Sequence, residues 1–129
     1  MSLTSNVVTW FELYVNDMNR AKAFYSTVLQ MELTDLPSPS GMDEMQMACF
    51  PYVEGAPNAN GALVKDNMTK PGSGGTLIYF ATEDCTQEQN RVEAAGGKVL
   101  QPKFPIGDYG FCAICMDTEG NSFGLHSRN

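Results

Sequence analysis

Val8-Thr9-Trp10-Phe11-Glu12-Leu13-Tyr14-Val15-Asn16-Asp17 reads as a β-strand running into a helix start. Successive side chains on a strand point to opposite faces, so Phe11, Leu13 and Val15 share one side and Trp10, Glu12 and Tyr14 the other. The first set is an ordinary apolar face for a covering helix. The second sets a carboxylate between two large aromatics, which either faces water or lines a cavity. Asp17 can cap the free N–H groups of a helix. From Met18 to Leu29 the residues Ala21, Phe24, Tyr25, Val28 and Leu29 then recur at helical spacing.

Further along, Gln30 to Leu36 reads as a second strand, stopped by the loop Pro37-Ser38-Pro39-Ser40-Gly41. Glu44 to Phe50 reads as a third strand and Gly61 to Val64 as a fourth, with a Pro/Asn/Gly loop between them. Lys65 to Gly75 is polar and glycine-rich and suits a linker. The order then begins again. Thr76 to Thr82 is a β-branched and aromatic strand, Glu83-Asp84 opens a helix to Ala95, and Gly96-Gly97 stops it. Strands follow at Lys98 to Lys103, Phe111 to Met116 and Ser122 to Ser127, with the turn Asp117-Thr118-Glu119-Gly120-Asn121 before the last.

Both halves read strand–helix–strand–strand–strand. A shift of 67 residues lays Trp10–Leu33 on Leu77–Leu100 without a gap, setting Leu13 on Phe80 and Asp17 on Asp84. A tandem duplication accounts for this, and neither half stands alone, because each sheet has an inner face needing the other. The expectation is one domain over 1–129, with module one at about 6–66 and module two at about 75–127.

A chain of 129 residues, 43% hydrophobic and 18% charged, suffices for one domain with a real core. Its net charge of -7 and the absence of any Lys/Arg run speak against nucleic acid or an anionic membrane as partner. The first six residues show no secretion signal, and no apolar run is of membrane-spanning length. With no such signal, Cys49, Cys85, Cys112 and Cys115 are expected as reduced thiols in a cytoplasmic protein.

Several stretches together resemble the vicinal oxygen chelate superfamily, which includes glyoxalases, extradiol dioxygenases, and fosfomycin- and bleomycin-resistance proteins. They are Phe11 to Asp17 with Ala21-x-x-Phe24-Tyr25-x-x-x-Leu29, Val92-Glu93-Ala94-Ala95-Gly96-Gly97-Lys98-Val99, and Asp117-Thr118-Glu119-Gly120-Asn121-x-Phe123-Gly124-Leu125-His126. The resemblance implies an α+β fold of two tandem βαβββ modules curled into an open half-barrel around a cavity, and a homodimer. Catalytic members of the family hold a divalent metal with His, Glu or Gln from the first and last strands of each module. Those positions fall here at Trp10, Leu77, Ala62 (or Gly61) and Gly124, which offer no lone pair for a cation. The expectation is therefore no metal and no cofactor.

With the family's site missing, Glu12 and His126 become the candidate acid–base pair across an aromatic-walled hollow. Trp10, Glu12, Tyr14, Leu77, Tyr79 and His126 are the candidate ligand-binding set. The alternative is that Glu12 ties down a neighbouring strand or tyrosine hydroxyl while His126 is partly solvated. Cys112-Ala113-Ile114-Cys115 matches C-x-x-C by letter, but on a strand this spacing puts the sulfurs on opposite faces. Met42, Met45 and Met47 with Cys49 and Phe50 form a soft patch read as packing. Gly72 to Gly75 precedes a strand, so it is a hinge and not a phosphate cradle.

Three function classes follow. The first is a metal-independent pocket for a small organic molecule; the second is a glyoxalase- or dioxygenase-type enzyme with a displaced metal. The third is a dimeric interaction module without a ligand. Whether the protein turns over a substrate is left open by the sequence.

Overall fold

Two helices capped by aspartates fix the start of each module. In the computed structural model, which describes residues 6, 8–37, 45–67, 69–74 and 76–129, Asp17 accepts from the Arg20 N–H at the start of α1 (Met18–Leu29). Asp84 does the same for the Thr86 N–H at the start of α2 (Cys85–Val92). The two caps lie at equivalent places in the repeat.

Strands β1 (Trp10–Tyr14), β2 (Thr34–Leu36), β3 (Gln46–Cys49) and β4 (Asn60–Lys65) form one sheet in the order β1-β4-β3-β2. Strands β5 (Ile78–Ala81), β6 (Lys98–Pro105), β7 (Phe111–Met116) and β8 (Ser122–Ser127) form the other in the order β5-β8-β7-β6. The first strand of each sheet runs parallel to the last, and the remaining pairs are antiparallel. The fold is thus α+β, two βαβββ modules in tandem whose sheets stay open as a half-barrel.

Several boundaries differ from the sequence expectation. Gln30 takes a left-handed conformation (φ 53°) and returns its N–H to Ser26, so Gln30–Leu33 is the helix exit and β2 begins only at Thr34. Helix α2 ends at Val92 rather than Ala95, because Glu93 to Gly97 turn out of it, with Gly96 at φ 103°. Strand β6 continues through Pro102 to Pro105; it is an edge strand, where a missing N–H costs no ladder bond. A short 3-10 turn, Gly107–Tyr109, was not anticipated. Ser38 to Gly41, Met42 and Glu44 lie outside the described residues.

The core forms on the helix side of both sheets as one cluster. Leu13, Val15, Ala48 and Leu63 come from the first module and Ala113, Cys115, Phe123 and Leu125 from the second. Tyr25, fully buried, sits between them with ring centroids 5.8 Å from Phe50, 5.8 Å from Phe80 and 5.6 Å from Phe123. Its hydroxyl donates to Asp117 at 2.7 Å, satisfying a polar group that burial would otherwise penalise. Burial first, and then the Asp117 carboxylate, raise the Tyr25 pKa well above the usual phenol value.

Around that hydroxyl the β7–β8 turn knots the modules together. Glu119 accepts from the N–H groups of Asn16 and Asp17 at 3.0 and 2.9 Å and pairs with Arg20 at 2.7 Å. Asn121 donates to the Tyr14 carbonyl at 2.8 Å and accepts from the Gly72 N–H at 2.8 Å, which straps the glycine stretch between the modules to the turn. Arg91 of α2 donates to the Val28 carbonyl at the end of α1. Among the described residues no helix is long and apolar enough to cross a membrane.

Candidate functional site

Residues that alternate with the core face the other way, into the hollow. On the first sheet, Glu12 pairs in register with Ala62 and Tyr14 with Val64. On the second, Tyr79 pairs with Gly124, Ala81 with His126, and His126 with Cys112. Ala62, Val64 and Cys112 are buried yet lie outside the core cluster, as residues of this second face should.

An open cleft of about 1170 Å³ runs past the β1 and β5 edges, with Leu77, Tyr79, Ala81, Cys112 and His126 on the module-two side and Phe11, Phe50 and Asn60 on the other. Of the expected ligand-binding residues it gathers Leu77, Tyr79 and His126. Tyr79 is half exposed, and its ring lies across Gly124, where an added Cβ would come within 2.3 Å of it. The Nε2 of His126 meets the Tyr109 carbonyl at 2.8 Å, so the unanticipated 3-10 turn orients the imidazole.

Trp10, Glu12 and Tyr14 do not line this cleft and form a cluster of their own. The indole Nε1 of Trp10 donates to Glu12 at 3.2 Å and the Tyr14 hydroxyl donates to its other oxygen at 3.3 Å. Burial first, and then the Glu12 charge, push the Tyr14 phenol up. Trp10 remains 41% exposed, so the indole stands on the open face and not beneath a helix. Both Glu12 oxygens thus bind its own strand, while His126 is held by the far end of module two.

The four cysteines are free thiols. Cys115 lies in the core and burial, with Cys85 close by, pushes its pKa to about 11, whereas Cys112 faces the cleft. The C-x-x-C pair therefore splits between faces as strand alternation requires. The methionine patch splits too: Met47 and Cys49 share the hollow side with Val64 and Ala62, while Ala48 and Phe50 join the core. Cys112, Asn60 and the Phe11–Phe50 wall were missed as lining residues. Register with His126 would have pointed to Cys112; nothing local marks the others.

The sequence profile of the Glyoxalase/Bleomycin resistance protein/Dioxygenase superfamily matches residues 7–125. The chain belongs to this superfamily. A mycobacterial relative named "Putative glyoxylase CFP32" (Mycobacterium tuberculosis) is 29% identical over 129 residues, covering 93% of this chain and 45% of its own. The chain thus spans about half the length of that relative. Glyoxalase I from Zea mays superposes with TM-score 0.70 at 20% identity, over 92% of this chain and 45% of the maize chain. TnmS3, an antibiotic binding protein from Streptomyces sp. CB03234, superposes with TM-score 0.67 at 23% identity over 99% and 100% of the two chains. At these identities the structural likenesses establish the fold alone.

The metal that catalytic members of the superfamily carry does not fit the residues present. Trp10 and Leu77 stand where the first-strand ligands are expected, and Ala62 (or Gly61) and Gly124 where the last-strand ones are; Ala62 and Gly124 pair in register with Glu12 and Tyr79. The space over Gly124 is taken by the Tyr79 ring, and that over Gly61 by the Phe11 carbonyl and ring. Among the described residues no three His, Cys, Asp or Glu side chains converge as ligands.

Proposed function

We propose that this superfamily member binds a flat, mostly apolar organic molecule in its hollow without a metal. The observation that carries the reading is the cleft of about 1170 Å³ walled by Phe11, Phe50, Leu77, Tyr79 and Ala81, with His126 and Asn60 as its few polar directing groups. Pockets of this make-up hold ligands by apolar contact and orient them through a small number of hydrogen bonds. Stacking on Tyr79 supplies the affinity and the His126 ring the orientation. Trp10, Glu12 and Tyr14, outside this cleft, form a separate subsite for a longer ligand. In this reading His126 orients the ligand in the cleft, and Glu12 holds the Trp10 indole and the Tyr14 hydroxyl of the separate subsite in place.

The antibiotic-binding description of TnmS3, which matches this chain over nearly its whole length, supports the reading by analogy. A metal-dependent glyoxalase activity draws on the names of relatives, and the residues at the ligand positions oppose it. Residues 1–129 act as one unit, since a single core draws on both modules. Exposed Val8, Tyr52, Val53 and Tyr109 suit burial in a homodimer. Free thiols suit a cytoplasmic setting.

Thermal melting against a panel of planar aromatic compounds in the presence of chelator tests the reading. A ligand should raise the midpoint, and Tyr79→Ala should weaken it by about tenfold or more, the loss of one aromatic contact. Stabilisation that needed added Zn, Ni, Mn or Fe would overturn it.

A further inference from the structure

We propose that Cys112 and His126 form a thiol–imidazole pair that adds covalently to conjugated carbonyl compounds seated in the cleft. This deepens the ligand-binding reading above and rests on it. The two residues are direct partners across the antiparallel β7–β8 pair and both line the cleft. Partners so placed share a face, with Cβ atoms about 4.5–5.5 Å apart.

The hydrogen bond to Tyr109 fixes which imidazole nitrogen is available. A carbonyl can only accept, so the Nε2 that meets it at 2.8 Å carries the hydrogen. In the neutral ring Nδ1 is then left with its lone pair. The thiol itself is 5% exposed, so a reagent reaches it only by entering the cleft. Burial, and then Cys85, raise its pKa, which keeps the sulfur protonated at neutral pH and calls for a base during attack.

The step balances without an oxidant. The Cys112 sulfur forms a bond to the β-carbon of the ligand's C=C–C=O unit, and the alkene π pair moves to the α-carbon and carbonyl oxygen as an enolate. The thiol proton passes to His126 Nδ1 and from there to the α-carbon, leaving a saturated thioether and the neutral imidazole. Leu77, Tyr79 and Ala81 give the flat apolar seat that holds the alkene against the sulfur. The other thiols serve as controls. Cys115 is sealed in the core, and the partly exposed Cys49 is bonded to the Phe50 carbonyl and to Asn60 with no imidazole opposite it.

The probe is N-(1-naphthyl)acrylamide, run beside its saturated twin N-(1-naphthyl)propanamide on the whole chain. Melting with the twin reports the seat; intact mass and peptide mapping with the acrylamide report the bond. The twin should raise the midpoint, and the acrylamide should add once, at Cys112, about tenfold faster than at Cys49 because it is held in place. Cys112→Ser should abolish that adduct and keep the twin's shift. His126→Asn and His126→Gln should slow it about a hundredfold, the size of a general-base contribution, with the melting point retained. If the twin binds and Cys112 stays unmodified, or reacts as fast without His126, the pair is overturned and the pocket stands. If the twin fails to bind, both readings fall.

Discussion

Burial of the Glu119 carboxylate works to raise its pKa, and the Arg20 guanidinium, the Asp17 N–H, the Thr118 hydroxyl and the Asn16 N–H together reverse this and bring it to about 2. The folded value lies below the unfolded one, so the stabilisation is complete above about pH 5 and is lost as pH falls toward 2. A shift of this size corresponds to about 3 kcal/mol at ~1.4 kcal/mol per unit, discounted to about 2 kcal/mol because Arg20 is half exposed. Urea denaturation from pH 6 down to pH 2.5 should show that loss. Glu119→Gln should start about 2 kcal/mol lower and show a flatter acid limb. Tyr25→Phe leaves an oxygen of the buried Asp117 one donor short and should cost about 1–3 kcal/mol in the same assay. In the sequence, Asp117-Thr118-Glu119-Gly120-Asn121 reads simply as a turn before the last strand. Its burial comes from contacts with Asn16, Asp17 and Arg20 about a hundred residues away, which no local pattern encodes.

At the level of the elements, the two aspartate caps and the helical spacing of α1 were legible, because each depends on a few neighbouring residues. Asp17→Ala should cost about 1 kcal/mol by loss of its cap, read as a lower melting point. The ends of β2, α2 and β6 were not legible. Their limits follow from a left-handed Gln30, from Gly96, and from the position of β6 at a sheet edge that tolerates Pro102. Two strand glycines make a paired prediction. An added Cβ at Gly61 would meet the Phe11 carbonyl at 2.3 Å, where backbone must give way. The same atom at Gly124 meets only the half-exposed Tyr79 ring, which can swing aside. Gly61→Ala should therefore cost about 1–3 kcal/mol in denaturant unfolding. Gly124→Ala should leave stability nearly intact and disturb ligand affinity through Tyr79.

Across the whole molecule, strand alternation told which residues of a strand share a face, and Leu77, Tyr79 and His126, grouped with the help of the family resemblance, all line the cleft. It did not tell which faces combine into one cleft. That depends on how the two sheets sit about the Tyr25 cluster, with Phe11 and Phe80 meeting at 5.9 Å between modules. Glu12 accordingly ends beside Trp10 and Tyr14, and the cleft is completed by Phe50 and Asn60. Sedimentation of the whole chain should show a dimer if Val8, Tyr52, Val53 and Tyr109 meet a second copy. Tyr52→Asp with Val53→Asp should then shift it toward monomer without lowering the monomer's own stability.

The clasp between Glu119 and the backbone ahead of α1 also has a bearing on biosynthesis. The first helix of the nascent polypeptide is finished early, yet the carboxylate that receives its leading N–H groups emerges from the ribosome about a hundred residues later. Until then module one lacks that acceptor, and Phe123, which packs on Tyr25, follows only four residues after it. Translation stalled before the β7–β8 turn should leave a nascent chain that proteases cut within residues 8–37, and completion of that turn should close the window.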